Sequence, residues 1–542
     1  MRSEFNLIEE PWILVRTPDC TVQSVSLRDA LIHAHEYEAL CGETAAQDAA
    51  MLRLLLAVLY TVFARVDESG EDALLETEDD ALDRWAALRE AGRFPEEPVC
   101  DYLEQWKDRF WLFDEKHPFW QTPAASVGTE YGASKLNGEM SESSNKLRLF
   151  PARTVETKNA LTYAEAARWL LYVNAFDDTS AKPKGKGLPS PGAGWLGKLG
   201  IIYAESANLY ETLLLNLVFL KNGDSLWDAE DSGKFGCCPG WELEAPRSQE
   251  RVEIVVPNHY AALMTLQSRR LLLEREEDHV VRYELLGGDF FSRENALSEQ
   301  MTIWQNRSDE KRGLVLWMTK RHDPARQIWR DFSAIAAGKN SGNRRPGIVE
   351  WVGKLREENL LQKAELIRFR ISCVQYGDKD FFVTDTISDA LSFHVDLLTE
   401  AGASWRKIVE QEIESCDRAA GLIALLAERL DKASGGDGKA GDAKALFYSA
   451  IDTPFREWLQ KLEPTQTQLE RDALRDAWEE QVRRIALCFG QELVDASGTA
   501  AFIGRNVTEK VKGKDVSRHY SAPEAFGAFK YQINKLYPQE VK

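Results

Sequence analysis

The chain has 542 residues, a formal net charge of −20 and 44% hydrophobic residues. A chain of this length accommodates about two to four domains with sizeable cores, so we expect a globular protein. The acidic excess excludes indiscriminate nucleic-acid binding, which needs an extended positive surface, but it is compatible with local cationic sites.

The N-terminal region predicts a strand hairpin followed by an apolar helix. Residues 5–16 and 22–27 carry β-favouring residues, and Ser26 can cap the helix that follows. The run 49–64 is apolar, but it is short for a membrane span and contains Arg53, which predicts a buried core helix. The opening MRSEFNLIEE has acids where a signal peptide has an apolar run, so we expect a cytoplasmic protein without a membrane partner.

A cationic loop is predicted between two apolar helices. The helices are expected over 162–176 and 206–222, and residues 182–195 between them read KPKGKGLPSPGAGW. Lysines, glycines and prolines in this pattern indicate an exposed loop with an accessible backbone. The stretch 192–197 has GxGxxG spacing, but no apolar strand precedes it, so the context of a dinucleotide site is missing.

The remaining chain predicts strands and then helices. Runs such as 313–319 and 366–374 indicate strands, and helical periodicity dominates after residue 384. Four helices are expected there, one beginning near Thr386 and three over 405–423, 447–462 and 474–485. Amphipathic helices bury their apolar stripes against one another, which favours a four-helix bundle. The expected fold class is α+β, with a large mixed α/β domain over 1–383 and the bundle over 384–542.

Catalytic motifs are not recognisable in the sequence. The Walker A, HExxH and GxSxG patterns are absent, and the eight cysteines show no CxxC spacing. One HD dipeptide occurs, formed by His322 and Asp323. We therefore predict a binding protein that is not an enzyme, with no catalytic residue, metal or cofactor. Two alternatives stay open, an acidic metal-dependent nuclease using carboxylates such as Asp323 and a purely structural scaffold.

Four segments, taken in chain order, resemble one protein family. They are FNLIEEPWILV at 5–15, KHPFWQT at 116–122, the glycine-rich loop at 182–195 and the helical C-terminal third. Together they resemble the CasA family, whose members are the large subunit of Cascade, the type I-E CRISPR effector complex. The resemblance extends over nearly the whole chain.

This resemblance implies a noncatalytic subunit of an RNA-guided complex for antiviral defence. In such effectors, guide pairing reads the target sequence and a protein subunit reads a short protospacer-adjacent motif in the DNA duplex. The implied partners are the guide RNA, contacted at its 5′ end, double-stranded target DNA, the other Cascade subunits and a helicase–nuclease recruited after target binding. The subunit is also expected to help open and hold the target DNA.

The resemblance also implies three elements that contact nucleic acid. The glycine-rich loop approaches the motif duplex from its minor groove, the segment 146–159 reaches the guide handle, and the segment 375–380 holds a wedge that starts strand opening. The residues expected at these contacts are Lys182, Lys184, Lys186, Gly192, Gly194 and Trp195 in the first element, Arg148, Phe150 and Arg153 in the second, and Gly377, Asp378 and Lys379 in the third.

Several of these assignments have a competing interpretation. Trp195 either stacks on a base or anchors the loop in the core, and Phe150 either contacts the guide or belongs to the core. The basic stretch 504–520 either contacts target DNA or is a solvated loop. Its candidate contacts are Arg505, Lys512 and Lys514.

The sequence leaves two alternatives open for the wedge residue. Asp378 and Asp380 would repel a phosphate backbone, so either Lys379 is the wedge or the register differs from that of other members. Some members contact the motif with a further lysine, for which Arg293 is only the nearest cation in this chain.

Overall fold

The computed structural model describes most of the chain. The described residues are 3–138, 153, 157–179, 192–231, 234, 236–246, 255–289, 291–338, 342–511 and 514–538. Six predicted contact residues lie outside these ranges, namely Arg148, Phe150, Lys182, Lys184, Lys186 and Lys512, and the side chain of Lys514 is also outside the description.

The chain divides into two units that alternate along the sequence. The first unit comprises Met1–Pro324, Ala337–Gln362 and Ile367–Ala390, and the second comprises Ala325–Ala336, Lys363–Leu366 and Leu391–Lys542. A single domain boundary at residue 383 therefore stays a prediction.

Most of the strands are short, and they pair in small sheets. In the described ranges they are β1 (Glu4–Asn6), β2 (Ile13–Arg16), β3 (Val22–Val25), β4 (Ala39–Leu40), β5 (Trp111–Phe113), β6 (Thr129–Gly132), β7 (Leu161–Thr162), β8 (Ile201–Glu205), β9 (Arg269–Glu276), β10 (His279–Gly287), β11 (Trp304–Asp309), β12 (Leu314–Thr319), β13 (Leu366–Tyr376), β14 (Val383–His394), β15 (Arg505–Val511) and β16 (Lys514–Tyr520). The pairings are β1 with β5, β2 with β3 and β4, β10 with β6, β7 and β9, β11 with β12, β13 with β8 and β14, and β15 with β16.

Helices account for more of the chain than strands. They are α1 (Leu27–Ile32), α2 (Ala45–Phe63), α3 (Glu78–Ala91), α4 (Glu96–Gln105), α5 (Ala133–Leu136), α6 (Tyr163–Phe176), α7 (Leu209–Asn216), α8 (Tyr260–Met264), α9 (Phe332–Ala336), α10 (Gly347–Glu357), α11 (Ala403–Ser434), α12 (Ala443–Leu459), α13 (Gln468–Ala496), α14 (Gly498–Ile503) and α15 (Ala522–Leu536). The fold is mixed α/β, as the sequence predicts.

Helix α2 is a buried core helix of the first unit. Thr44 caps it by accepting a hydrogen bond from the backbone N–H of Gln47 at 3.2 Å. By length and composition it could cross a membrane, but 94% of its apolar window is buried inside the protein. Arg53 lies within it, is 2% exposed and pairs with Glu299 at 2.9 and 3.1 Å. The prediction of a core helix is confirmed.

The prediction of a helix near Thr386 is wrong. Thr386 lies in strand β14, which pairs with β13. The segment begins with Val383, Thr384, Thr386 and Ile387, β-branched residues that favour an extended backbone, and Phe393 near its end is fully buried. Pairing with the long strand β13 supplies the backbone hydrogen bonds that a helix would have supplied internally.

Helices α11, α12 and α13 confirm the three other helices predicted in the C-terminal part. Helix α11 packs on α12, α13 and α15, and α13 packs on α12 and α15. Trp458 and Trp478 stack between α12 and α13 with ring centroids 5.5 Å apart. Helix α15 was not predicted. The four-helix bundle stays an interpretation of these packed helices.

A buried carboxyl in the second unit makes stability depend on pH. Glu412 in α11 is fully buried and accepts hydrogen bonds from Arg475 at 2.8 Å. Burial raises its pKa to about 7, against the lowering effect of Arg475. The folded protein therefore holds this proton more tightly than the unfolded chain, so stability is greatest below the unfolded pKa and falls as the pH rises towards 7.

We predict that Glu412→Gln removes this dependence. The wild-type protein should lose up to about 3 kcal/mol of unfolding free energy from this group between pH 5 and pH 8, at 1.36 kcal/mol per pKa unit. The variant should be the more stable protein at pH 8, since Arg475 keeps its contact with Glu479 at 3.1 Å. Thermal unfolding across this pH range measures the effect, with Glu480→Gln, whose parent side chain is 55% exposed, as the control. Parallel pH profiles for all three proteins would contradict the prediction.

Candidate nucleic-acid interface

One buried arginine fixes both ends of the segment 180–191. Arg269, in β9, is 1% exposed, and its Nε donates to Asp177 Oδ2 at 2.7 Å, directly after helix α6. Its Nη2 donates to the carbonyls of Asp178 at 3.0 Å and Gly192 at 2.7 Å. The backbone N–H of Gly194 donates to the Asp177 carbonyl at 2.9 Å. The chain therefore leaves and returns at one place on the first unit.

Trp195 anchors the returning end, so its predicted stacking on a base is wrong. The side chain is 2% exposed, and its indole Nε1 donates to Glu299 Oε2 at 2.8 Å. The same carboxylate pairs with Arg53 of helix α2. The ring packs edge-on against Phe291 with centroids 4.5 Å apart. These contacts satisfy the indole within the core, and the alternative of a core anchor is the correct one.

The two predicted glycines serve different purposes. Gly194 is buried, and a Cβ at this position would lie 2.3 Å from the Ala175 carbonyl oxygen, so glycine is required for packing on the end of α6. The structure thus assigns Gly194 to protein packing instead of to a groove wall. Gly192 has a φ of +66°, which favours glycine, and lies close to the side chain of Lys198.

A tight turn with an exposed tip joins β13 to β14. The N–H of Gly377 donates to the Phe382 carbonyl at 2.8 Å and closes the turn. Lys379 and Asp380 both adopt the left-handed conformation, with φ of 55° and 58°. Such backbone strain persists only where surrounding contacts hold it. Asp378 and Lys379 are exposed at the tip.

The end of the segment after α6 holds this tip in place. Thr179 donates from its backbone N–H to the Asp380 carbonyl at 2.9 Å and from its hydroxyl to the Lys379 carbonyl at 2.8 Å. Two of the three elements implied by the resemblance therefore meet, because the segment 180–191 starts next to residue 179.

Arg321 neutralises Asp380, one of the two aspartates expected to repel phosphate. Its Nη1 and Nη2 donate to the two carboxylate oxygens of Asp380 at 2.6 and 2.9 Å. The guanidinium also lies 4.8 Å from the ring centroid of Tyr376, whose hydroxyl donates to the Phe176 carbonyl at 2.6 Å. Asp380 is thus part of the support of the tip, and Asp378 is the aspartate that faces solvent.

A cluster of cations lies behind the tip. Burial, together with three neighbouring arginines, lowers the pKa of Lys198 to about 8, while Asp380 opposes the shift. The arginines are Arg269, Arg293 and Arg321. Within the described part of the chain, Lys198 and Arg293 make no side-chain ion pair. A bound phosphate would stabilise the charged amine, so the cluster is suited to an anion.

Two exposed aromatic residues follow the tip and were missed from sequence. Phe381 is 47% exposed and Phe382 is 40% exposed, and their rings lie edge to face at 6.1 Å. Apolar side chains of this kind can unstack a base step when they are pushed into a duplex. The FF pair directly after the DKD tip was the sequence signal that could have identified them.

The guide-handle segment is described only in part. Arg153 pairs with Glu165 of helix α6 and is mostly buried. This ion pair gives its charge a partner within the protein, so the predicted phosphate contact of Arg153 would have to compete with Glu165. The rest of 146–156 lies outside the described residues.

The described part of the basic stretch of the second unit forms a strand hairpin instead of a loop, and the choice between DNA contact and simple solvation stays open. Strands β15 and β16 pair in antiparallel register, with Arg505 opposite Tyr520. Arg505, Lys510 and Arg518 are exposed on it. The hairpin can present cations to a ligand, and its contact with DNA stays a prediction.

Comparison with known proteins identifies the family. Residues 6–488 match the model of the family CRISPR-associated protein Cse1. The chain belongs to the Cse1 family. A CasA/Cse1 protein of Thermus thermophilus is 27% identical over 507 residues, which are 89% of this chain and 91% of the relative.

Solved structures show the same fold. Cse1 of Thermobifida fusca is 30% identical, with a TM-score of 0.82 over 98% of both chains. A chain of a CRISPR RNA-guided surveillance complex is 16% identical, with a TM-score of 0.67 over 98% of this chain and 100% of that one. The resemblance found in the sequence is therefore confirmed at the level of the family.

His322 and Asp323, which the nuclease alternative would use, are not part of a metal-binding group among the described residues. His322 is buried, and its Nε2 lies 3.0 Å from the Ile201 carbonyl oxygen, in a position to donate to it. In the described ranges, no group of three or more His, Cys, Asp or Glu side chains could hold a metal ion. The described residues therefore give the nuclease alternative no metal centre at Asp323.

We predict that the Lys198 amine titrates near pH 8, because burial and neighbouring cations disfavour its charged form. The ¹³C NMR shift of the reductively methylated lysine measures this value, and Lys198→Arg assigns the resonance. Asp380→Asn should lower the value further, since the Asp380 carboxylate favours the ammonium form. A resonance that titrates near the ordinary lysine pKa in both proteins would contradict the cluster.

Proposed function

We propose that this chain is the large subunit of a type I-E Cascade complex and reads the protospacer-adjacent motif in target DNA. Family membership and the fold shared with a chain of an RNA-guided surveillance complex support this proposal. In the same proposal the chain contacts the 5′ end of the guide RNA, joins the other Cascade subunits and recruits the helicase–nuclease. It works in the cytoplasm without catalysing a reaction.

The exposed turn at residues 377–382, which includes the tip and the two phenylalanines that follow it, is the observation that best supports the proposal. It presents Lys379 next to two exposed phenylalanines, and Thr179 holds it beside the start of the segment 180–191. A cation can contact a phosphate while an apolar ring enters a base step, and guide pairing then offsets the cost of unstacking. This combination fits the binding and opening of a duplex better than it fits a scaffold.

The wedge is assigned to Phe381 and Phe382, with Lys379 as the adjacent phosphate contact. Lys182, Lys184 and Lys186 would contact the phosphates of the motif duplex, with Gly192 at the returning end of the loop. Lys198 and Arg293 would add to the positive electrostatic potential near the tip. Arg148, Phe150 and Arg153 are proposed for the guide handle.

In the second unit, we propose that helices α11, α12, α13 and α15 form a four-helix bundle, in which α15 replaces the predicted helix near Thr386. The basic hairpin β15–β16 would then hold target DNA through Arg505, Lys512 and Lys514. The exposure of Arg505 supports this assignment.

Replacing Lys182, Lys184 and Lys186 by alanine should weaken target DNA binding while the complex still assembles. If all three contact phosphates, the slope of log affinity against log salt should become shallower by about 2 to 3, at about 0.9 per phosphate. Binding of labelled target DNA to the purified complex at several salt concentrations measures the slope.

A matched control removes the same charge elsewhere. Lys311, Lys407 and Lys461 are exposed, so their triple alanine variant has the same net charge as the test variant. It should keep the wild-type slope. Equal slopes for the two variants would refute the assignment of the loop lysines.

Two further measurements address the alternatives. A metal-dependent nuclease would cleave labelled DNA with Mg²⁺ or Mn²⁺, and Asp323→Ala would abolish the cleavage. A purely structural scaffold would give a complex that binds targets equally well with every neighbouring motif in a library.

A further inference from the structure

A pocket in the first unit shares no residue with the candidate nucleic-acid interface. Strands β2, β4, β8 and β13 and helices α2 and α7 enclose a cavity of about 180 Å³. Its apolar wall includes Leu40, Leu52 and Leu209, and its polar lining includes Asp48 and Tyr203. Cavities of about 150 Å³ accommodate a six-membered carbon ring, so this one has room for a small ligand.

Both arginines that line the pocket already have carboxylate partners. Arg16 donates from Nε and Nη2 to Glu38 at 2.7 and 2.9 Å. Arg370 donates from Nε and Nη2 to Glu205 at 2.7 and 3.0 Å. A paired guanidinium offers little to an anion, because an incoming anion would have to compete with the resident carboxylate.

Within the described ranges, Asp48 makes no ion pair with a lysine, arginine or histidine. Its Oδ1 accepts a hydrogen bond from the Gly42 N–H at 2.7 Å, and the described residues donate no hydrogen bond to its second oxygen. Burial, with a smaller contribution from Glu43, raises the pKa of Asp48 to about 7, while the hydrogen bond from Gly42 and the charges of Arg370 and Arg16 oppose the shift. Glu43 is itself paired with Arg168 at 2.6 Å. Asp48 is therefore the acceptor on this lining whose charge is least compensated.

Tyr203 supplies a second polar group at the same place. Its side chain is 7% exposed and lines the cavity, and its hydroxyl makes no hydrogen bond within the described ranges. Burial raises its pKa, and the charge of Asp48 raises it further, so the two groups lie within electrostatic range of each other. A hydroxyl on the cavity lining without a protein partner is available to a ligand that enters the cavity.

We propose that this pocket binds an organic cation, a guanidinium or primary ammonium group on a short apolar stem, through the Asp48 carboxylate and the Tyr203 hydroxyl. The charged head donates to both oxygens, and the stem lies against the leucine wall. An anion would meet the uncompensated carboxylate, and a neutral ligand would leave that charge without a partner. The formal charge of −20 on the whole chain also favours the approach of a cation.

Calorimetric titration of the full chain with n-butylguanidinium at pH 8 tests the proposal. The wild-type protein should show saturable binding at one site, and neutral n-pentanol should bind at least about tenfold more weakly. Asp48→Asn keeps the size of the side chain and its acceptor for Gly42, and it should weaken guanidinium binding by about tenfold or more. Tyr203→Phe should weaken it by a smaller factor.

The pH dependence provides a separate readout. Protonation of Asp48 removes the attraction, so wild-type affinity should fall as the pH drops from 8 to 6, and Asp48→Asn should show no such fall. Glu205, Cys41 and Tyr203 also face Asp48, and their presence in both proteins makes Asp48→Asn the proper reference.

Titrations with two test compounds distinguish a free small molecule from a protein side chain as the source of the cation. Agmatine represents a free small molecule, and N-acetyl-arginine N-methylamide represents the side chain of a protein partner. Binding of agmatine alone indicates a free ligand, and equal binding of both indicates that an arginine side chain fits. No saturable binding of any cation at about 10 mM would overturn the proposal, as would equal affinity for Asp48→Asn or for n-pentanol. If Asp48→Asn fails to fold, the Tyr203→Phe comparison decides.

Discussion

The candidate interface depends on one buried guanidinium. Arg269 binds Asp177 and Asp178 on the outgoing side of the segment 180–191 and Gly192 on the returning side. Removing one partner of a buried pair of this kind typically costs about 3 to 5 kcal/mol, because a charge is left without compensation in the core. The residues that flank this segment are therefore held together in the first unit, and Trp195 secures the returning side from the core through Glu299.

The distribution of charge is compatible with the proposed binding of nucleic acid by an acidic protein. The formal charge of −20 suppresses indiscriminate attraction of DNA, and binding is left to places where cations lack partners. Arg321 is neutralised by Asp380, whereas Lys198 and Arg293 form no ion pair among the described residues and Lys379 is exposed. These cations thus give one local positive region at the tip and around Lys198 and Arg293. Specific contacts can then decide which duplex is held, since the general electrostatic term is weak.

Sequence patterns predicted the elements whose periodicity is strong. Helices α2, α6, α11, α12 and α13 and strand β13 follow from apolar spacing over long runs, because local burial dictates them. The helix near Thr386 was wrong because its pairing partner β13 lies earlier in the chain, and single-segment periodicity does not contain that contact. Helix α15 was missed, although it completes the packing around α11 and α13.

The site was predicted less completely than the fold. The position of the tip followed from the family resemblance, but the pairing of Asp380 with Arg321 joins residues 59 positions apart and has no local signal. For the same reason Trp195 could not be assigned to the core, since its partner Glu299 is 104 positions away. Phe381 and Phe382 carry a signal that is visible in the sequence, because two adjacent aromatic residues directly follow the charged tip.

The proposed function requires Phe381 and Phe382 to open the duplex beside the motif. The most direct measurement is strand opening in the assembled complex, followed by 2-aminopurine fluorescence in the target, for Phe381→Ala/Phe382→Ala. Opening of an intact duplex should slow strongly, and a target with a pre-opened bubble next to the motif should restore wild-type behaviour. Leu314→Ala/Val315→Ala, which removes two other exposed apolar side chains, should leave opening unchanged. Wild-type opening by the phenylalanine variant, or an equal defect on the bubble target, would contradict the account.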